Sequence, residues 1–142
     1  MMSQVFVSGH KSPDTDSIAA ALSYSYLKRR LGMDAVAVRA GEINKESRFA
    51  LDYFNLEEPM LVTSVARKNP EDEKQKVILV DHNESKQTID GMDDAEVLEI
   101  IDHHRFGDFE SENPIFILVR PVGCVNTVIY GLYKANHIKP YP

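Results

Sequence analysis

Three short stretches of this 142-residue chain gather the residues able to do chemistry. They are Gly9-His10-Lys11-Ser12-Pro13-Asp14-Thr15-Asp16, Val80-Asp81-His82-Asn83 and Ile101-Asp102-His103-His104-Arg105. Four of the five histidines fall in them, each within four residues of an aspartate, and the single cysteine lies elsewhere. Imidazole nitrogens and carboxylate oxygens without thiolates suit divalent manganese, and magnesium or zinc less well. More than four such donors across three loops suggest two ions sharing a carboxylate. Two ions roughly 3.5–4 Å apart lower the pKa of a water between them and clamp attacking and transferring oxygens in line. Phosphorus is the natural electrophile for that arrangement, so the expected chemistry is hydrolysis of a phosphoester or phosphoanhydride.

Each stretch also has a plainer explanation. Asp14 and Asp16 precede a helical pattern, where aspartate commonly forms an Asx turn or a cap. Taken alone, that pair reads more readily as capping than as ligation. Asp81 ends an apolar run, where a carboxylate is costly unless paired or metal-bound, yet it could instead bond turn amides. His82 has no clear partner and is expected at the surface or behind a ligand. His103 and His104 are harder to explain away, because two adjacent imidazoles need partners for four ring nitrogens if they are buried. Exposure on a turn is their alternative. All three coincidences together are far less expected by chance than any one of them.

The flanking pattern says what must position these loops. Val5-Phe6-Val7-Ser8, Ala35–Arg39, Val77-Ile78-Leu79-Val80, Glu96–Ile101 and Ile115–Val119 read as strands, and Met60-Leu61-Val62 as a brief one. From Ser17 a helical pattern carries Ile18, Leu22, Tyr26, Leu27 and Leu31, capped by Asp16 or Thr15 and stopped at Gly32. Asn44 caps a second helix whose apolar face is expected to carry Phe49, Leu51, Tyr53 and Phe54. Residues 124–136 form a third, with Val125, Val128, Ile129, Leu132 and Tyr133 inward. The charged, proline-containing stretch 67–76 reads as a solvated loop. Strand and helix alternate, which predicts one α/β domain: a mostly parallel sheet sandwiched by helices. In such sheets ligands gather beyond the carboxyl ends of the strands, where all three stretches lie. A single shared site is therefore expected.

Composition narrows the partners. The net charge of −6 offers no basic footprint for a phosphate backbone, so nucleic acid is not expected. Small anions stay open, because bound divalent ions dominate their local field. One cysteine, Cys124, excludes an internal disulfide, and its valine neighbours predict a buried, inert thiol. No apolar run reaches membrane-spanning length, and Met1-Met2-Ser3-Gln4 lacks a leader pattern, so no membrane partner and a cytoplasmic location are expected.

Gly-His-Lys-Ser-Pro-Asp-Thr-Asp-Ser-Ile, Val-Asp-His-Asn-Glu and Asp-His-His-Arg, followed by Arg-Pro-Val-Gly-Cys, resemble the N-terminal domain of family II, manganese-dependent inorganic pyrophosphatases. These belong to the DHH phosphoesterase superfamily, and the resemblance runs from about Val5 to Ile138. It implies that pyrophosphate is the substrate and that two Mn2+ ions are the cofactors, with Mg2+ or Co2+ as substitutes. It also implies that His10 and Asp14 hold one ion, that Asp16 and His103 hold the other, and that Asp81 bridges both. His104 would face the phosphates and assist proton transfer to the leaving group. Asp102 is expected to support the histidine loop from behind. The short segment 64–76 leaves no room for a regulatory nucleotide-sensing insertion. The resemblance further implies a homodimer joined through this domain.

Residues 1–142 are thus expected to be a single DHH domain, without the downstream bridging aspartate and the second, substrate-gripping domain of that family. Little activity is expected from such a domain alone. Two alternatives share the motifs: a DHH-type phosphodiesterase or oligoribonuclease, and a non-catalytic metal-binding and dimerisation module.

Overall fold

The computed structural model describes residues 4–140. The leader reading at Met1 to Ser3 and the last two residues lie outside the described residues. Strands β1 (Val5–Ser8), β2 (Ala35–Arg39), β3 (Met60–Leu61), β4 (Lys76–Val80), β5 (Glu96–Asp102) and β6 (Phe116–Val119) form one sheet in the order β3-β2-β1-β4-β5-β6. Every neighbouring pair is parallel, so the expected parallel α/β sheet is present. Strand order reverses between β1 and β4, and a crevice opens at such a switch point beyond the carboxyl ends. Gly9-His10 follows β1 and Asp81 follows β4, so two of the chemical stretches flank that crevice.

Helices α1 (Thr15–Arg30) and α3 (Val125–Ala135) pack against each other and against one face of the sheet. Ala20, Ala21, Tyr24 and Leu27 of α1 meet Val7, Ile78, Val80 and Ile101 there, with Val125, Ile129 and Tyr133 of α3. Four fully apolar residues in a row along β4 are buried because both sheet faces are covered. On the opposite face Val38, Leu79 and Ile100 are covered by Val65 and Ile89, which belong to connecting segments. One charge enters the helical face. Glu99, beside a register shift between β4 and β5, is held by Lys28 Nζ at 2.8 Å and by the Tyr24 hydroxyl at 2.5 Å, so its burial is compensated.

Several local expectations change. The cap of α1 is Asp14, whose side chain accepts from Ser17 N at 2.8 Å, and neither Asp16 nor Thr15 takes that role. Leu31 is exposed, and Tyr24 with the two alanines fills the inward stripe instead. Gly32 does end the helix, at φ +96°, where a side chain would be strained. Asn44 caps α2 (Lys45–Tyr53) as expected, through Ser47 N at 2.8 Å. Of its apolar face only Leu51 is buried, while Phe49, Tyr53 and Phe54 are exposed. Helix α2 lies beside α1 rather than across the sheet, so only one edge of it finds cover. Cys124 is half-buried, with Sγ 3.3 Å from Thr127 Oγ1, because it is the cap residue of α3 and not part of its inner face.

Candidate metal centre

All seven residues singled out for the site, His10, Asp14, Asp16, Asp81, Asp102, His103 and His104, converge at the carboxyl edge of the sheet. Asp81 is central. It is 1% exposed and has φ +63°, a left-handed conformation that a non-glycine residue adopts only when its surroundings impose it. Its amide donates to Ile101 O at 3.0 Å, which ties the β4 end to β5 and turns the carboxylate into the crevice. Oδ2 lies 3.3 Å from His10 Nε2 and accepts from Ser17 Oγ at 3.0 Å. Oδ1 lies 3.0 Å from His103 Nε2.

Two groups of donors therefore share one carboxylate. In the first, His10 Nε2 is also 3.6 Å from Asp14 Oδ1. In the second, His103 Nε2 is 3.5 Å from Asp16 Oδ2. Metal–ligand bonds of about 2.1 Å set neighbouring donors roughly 3.0–3.4 Å apart, close to these separations. His10, Asp14 and Asp81 offer one set of donor atoms within 4.8 Å of one another, and Asp81, Asp102, His103 and His104 offer another. The chemistry of these donors, oxygen and imidazole nitrogen only, fits a divalent ion such as manganese.

Electrostatics point the same way. Hydrogen bonding to Asp81 raises the His10 pKa above the usual imidazole value, outweighing its burial. Burial pulls His103 down, but the Val122 carbonyl together with Asp81 and Asp16 more than reverses this, and its pKa is raised. The surrounding carboxylates thus favour the protonated imidazoles, as a cluster rich in carboxylate draws positive charge to itself. His103 Nδ1 donates to Val122 O at 2.9 Å, which aims Nε2 at Asp81 and Asp16. Such a fixed second nitrogen is the usual support of a ligating histidine.

Asp102 is fully buried and already committed. Its Oδ1 accepts from His103 N at 2.7 Å and from His104 Nδ1 at 2.7 Å, and Oδ2 accepts from Asn83 Nδ2 at 2.8 Å. It orients the histidine loop rather than offering a free oxygen. His104 is largely exposed, with Nε2 the ring nitrogen left over. His82 is not at the surface: it is fully buried, its Nδ1 is 2.9 Å from Val80 O, and its Nε2 has no partner. Burial pushes its pKa down to about 4.

Three supporting residues escaped sequence reasoning. Ser17 holds Asp81, Asn83 holds Asp102 and the Arg105 carbonyl, and Asn126 holds Asp16. Ser17 and Asn83 stood inside or beside the motifs, but nothing in their type announced a carboxylate partner. Asn126 had a faint signal, since the helix it opens has no capping side chain of its own.

The fold and these donors define a parallel α/β domain with a carboxylate–imidazole cluster able to hold metal at a topological switch point. Residues 4–141 match the model of the DHH family, N-terminal domain. The chain belongs to the DHH family. It is 50% identical over 138 residues to a Bacillus licheniformis protein named "Probable manganese-dependent inorganic pyrophosphatase". It is 49% identical over 138 residues to a protein of the same name from an Exiguobacterium species. Each match takes in 97% of this chain but 43% of the relative, so the chain spans less than half the length of these curated relatives. A crystal structure from Methanococcus jannaschii, described as a candidate family II inorganic pyrophosphatase, superposes with a TM-score of 0.81 at 38% identity. That match covers 94% of this chain and 40% of that one. Among the described residues no helix is long and apolar enough to cross a membrane.

Proposed function

We propose that this chain is the metal-binding domain of an enzyme that hydrolyses inorganic pyrophosphate to two phosphates with two manganese ions. Asp81 carries the proposal, because its two oxygens face different donor groups, Oδ2 toward His10 and Oδ1 toward His103. His10 and Asp14 would hold one ion, Asp16 and His103 the other, and Asp81 both. The names of the relatives support manganese and pyrophosphate; magnesium or cobalt are proposed as substitute ions.

Two bound divalent ions would neutralise phosphate charge and supply a nucleophilic water at neutral pH. The chain's own residues do the rest. Asp81, Asp16 and Asp14 collect the positive charge. Val122 O keeps the His103 ring turned so that Nε2 stays available. Asp102 fixes His104 through Nδ1, which leaves Nε2 to hold a proton against the leaving phosphate oxygen. A positioned acid of this kind contributes about 10²–10⁴-fold to rate. The cations that grip pyrophosphate in the family lie in a second domain, and the same division of labour is proposed here. Turnover by this chain alone should then be slow, because phosphoryl transfer depends on positioning and charge stabilisation. A cytoplasmic homodimer joined through this domain is also proposed. Exposed Phe116, Ile117 and Val119 on edge strand β6 would supply apolar contact surface.

Calorimetric titration with manganese, followed by product release from pyrophosphate and from a short oligoribonucleotide, tests the proposal. Two ions per chain and a preference for pyrophosphate are expected. Absence of manganese binding, or a preference for the oligoribonucleotide, rejects it. Sedimentation tests the dimer, and a strict monomer at high concentration removes it.

A further inference from the structure

Helix α3 begins without a cap of its own. Cys124 occupies the cap position and its side chain bonds no helix amide, which leaves the first amides without a local acceptor. The acceptor comes from α1: Asp16 Oδ2 takes the Val125 amide at 3.0 Å, and Oδ1 takes the Asn126 amide at 3.4 Å. Asn126 then adds its side chain. Nδ2 donates to Asp16 Oδ1 at 2.6 Å and to Asp16 O at 3.1 Å, while Oδ1 accepts from Ser23 Oγ at 3.2 Å. The two contacts to Asp16 fix the orientation of the amide, because a flipped amide would set its oxygen against two oxygens of Asp16, and the Ser23 hydroxyl anchors its other end. Asp16 Oδ2 meanwhile lies 3.5 Å from His103 Nε2.

We propose that Asn126 is a positioning residue for the metal centre, locking Asp16 so that Oδ2 faces the ion shared with Asp81 and His103. Asn126 touches nothing in the group formed by His10 and Asp14. It therefore acts on one ion and spares the other, and it couples the position of α3 to one half of the site. The inference rests on the two-ion proposal above. Partners of this kind are typically worth 10–100-fold in metal affinity.

Manganese titration of wild type, Asn126→Ala and Ser23→Ala, with spectra of the bound manganese by electron paramagnetic resonance, tests it. Melting temperatures of the metal-free proteins are measured alongside. Asn126→Ala should weaken one binding step 10–100-fold, leave the other step near wild type, and alter the spectrum of the weakened ion. Ser23→Ala, which keeps both donors of Asn126 but removes the hydroxyl that anchors its oxygen, should weaken the same step to a smaller degree. Equal weakening of both steps, or a lower metal-free melting temperature with both affinities intact, overturns the inference by leaving Asn126 a packing role. Should Asn126→Ala fail to fold, an unchanged titration of Ser23→Ala overturns it instead. A wild-type chain that binds no manganese removes the two-ion proposal and this inference together. Two wild-type steps with an unmoved variant remove this inference alone.

Discussion

Asp102 and His104 are joined by a 2.7 Å hydrogen bond from Nδ1 of the imidazole to Oδ1 of a carboxylate that solvent does not reach. The same oxygen takes the His103 amide, so a single buried atom sets both the backbone and the ring of the histidine loop. Replacing Asp102 by Asn places an amide NH2 against either a backbone donor or Asn83 Nδ2. Pyrophosphate turnover by Asp102→Asn should fall about 10–100-fold, with manganese affinity changing less, since no ion-facing atom is removed. The double variant Asn83→Asp/Asp102→Asn restores the hydrogen bond between positions 83 and 102 but sets a carboxylate oxygen against the Arg105 carbonyl, so it recovers stability only in part. It should not recover turnover, because the charge beside His104 has moved. Turnover and denaturation midpoints of both variants check this.

Asp81 combines a left-handed backbone with a role for both carboxylate oxygens. Asparagine tolerates that backbone conformation, and alanine does so only at a strain of roughly 1–2 kcal/mol. Asp81→Asn should therefore fold, with metal-free stability near wild type at pH 8.5, where the His10 and His103 contribution is already fading, yet lose both manganese ions. Asp81→Ala should lose the ions and stability together. Calorimetry and urea denaturation separate the two outcomes, and retention of either ion by Asp81→Asn contradicts a shared carboxylate.

Ser17 reaches Asp81 only because Gly9 leaves room. A Cβ at position 9 would lie 2.7 Å from Ser17 Oγ and 2.8 Å from its Cβ. Gly9→Ala should destabilise the domain by about 1–3 kcal/mol through overpacking and weaken manganese binding by displacing Ser17 from Asp81. Adding Ser17→Ala removes Oγ but keeps the Cβ contact at 2.8 Å. The double variant should regain only part of the stability and none of the affinity, a coupling that a double-mutant cycle measures.

The sheet and its active edge were legible because apolar runs ending in Gly9, Asp81 and Asp102 announce both a strand and its exit. Val77 to Val80 could hardly be anything but a doubly covered strand. The exposure of Phe49, Tyr53 and Phe54 was not legible, since periodicity describes a helix face but not whether anything covers it. The cap of α1 was misplaced by two residues because Asp14 and Asp16 are interchangeable in type. Only the fold reveals that Asp16 is taken up by the start of α3, 109 residues away. His82 was hidden for a similar reason: a histidine after a strand-end aspartate looks solvated until the loop 83–95 is seen to close over the sheet.

The histidines make stability depend on pH in opposite senses, and metal should reveal which is which. His82, with a pKa near 4 in the folded protein against 6.5 unfolded, takes its proton only in the unfolded chain between those values. Its contribution is intact above pH 6.5 and declines toward pH 4, by roughly 3 kcal/mol in all. His10 and His103 have raised pKa values, through the Asp81 hydrogen bond for the first and, against burial, through Val122 O and the nearby carboxylates for the second. Their contribution is full below pH 6.5 and is lost as pH rises through the raised values. The metal-free protein should therefore be most stable near pH 6.5, with His82→Gln flattening the acid limb. Manganese held as proposed would displace the protons of His10 and His103, so its stabilising effect should grow as pH rises and the alkaline decline should disappear. Urea midpoints at pH 4.5, 6.5 and 8.5 with and without manganese check both limbs. Metal-free stability that keeps rising from pH 6.5 to 8.5 would contradict the charged state assigned to His10 and His103.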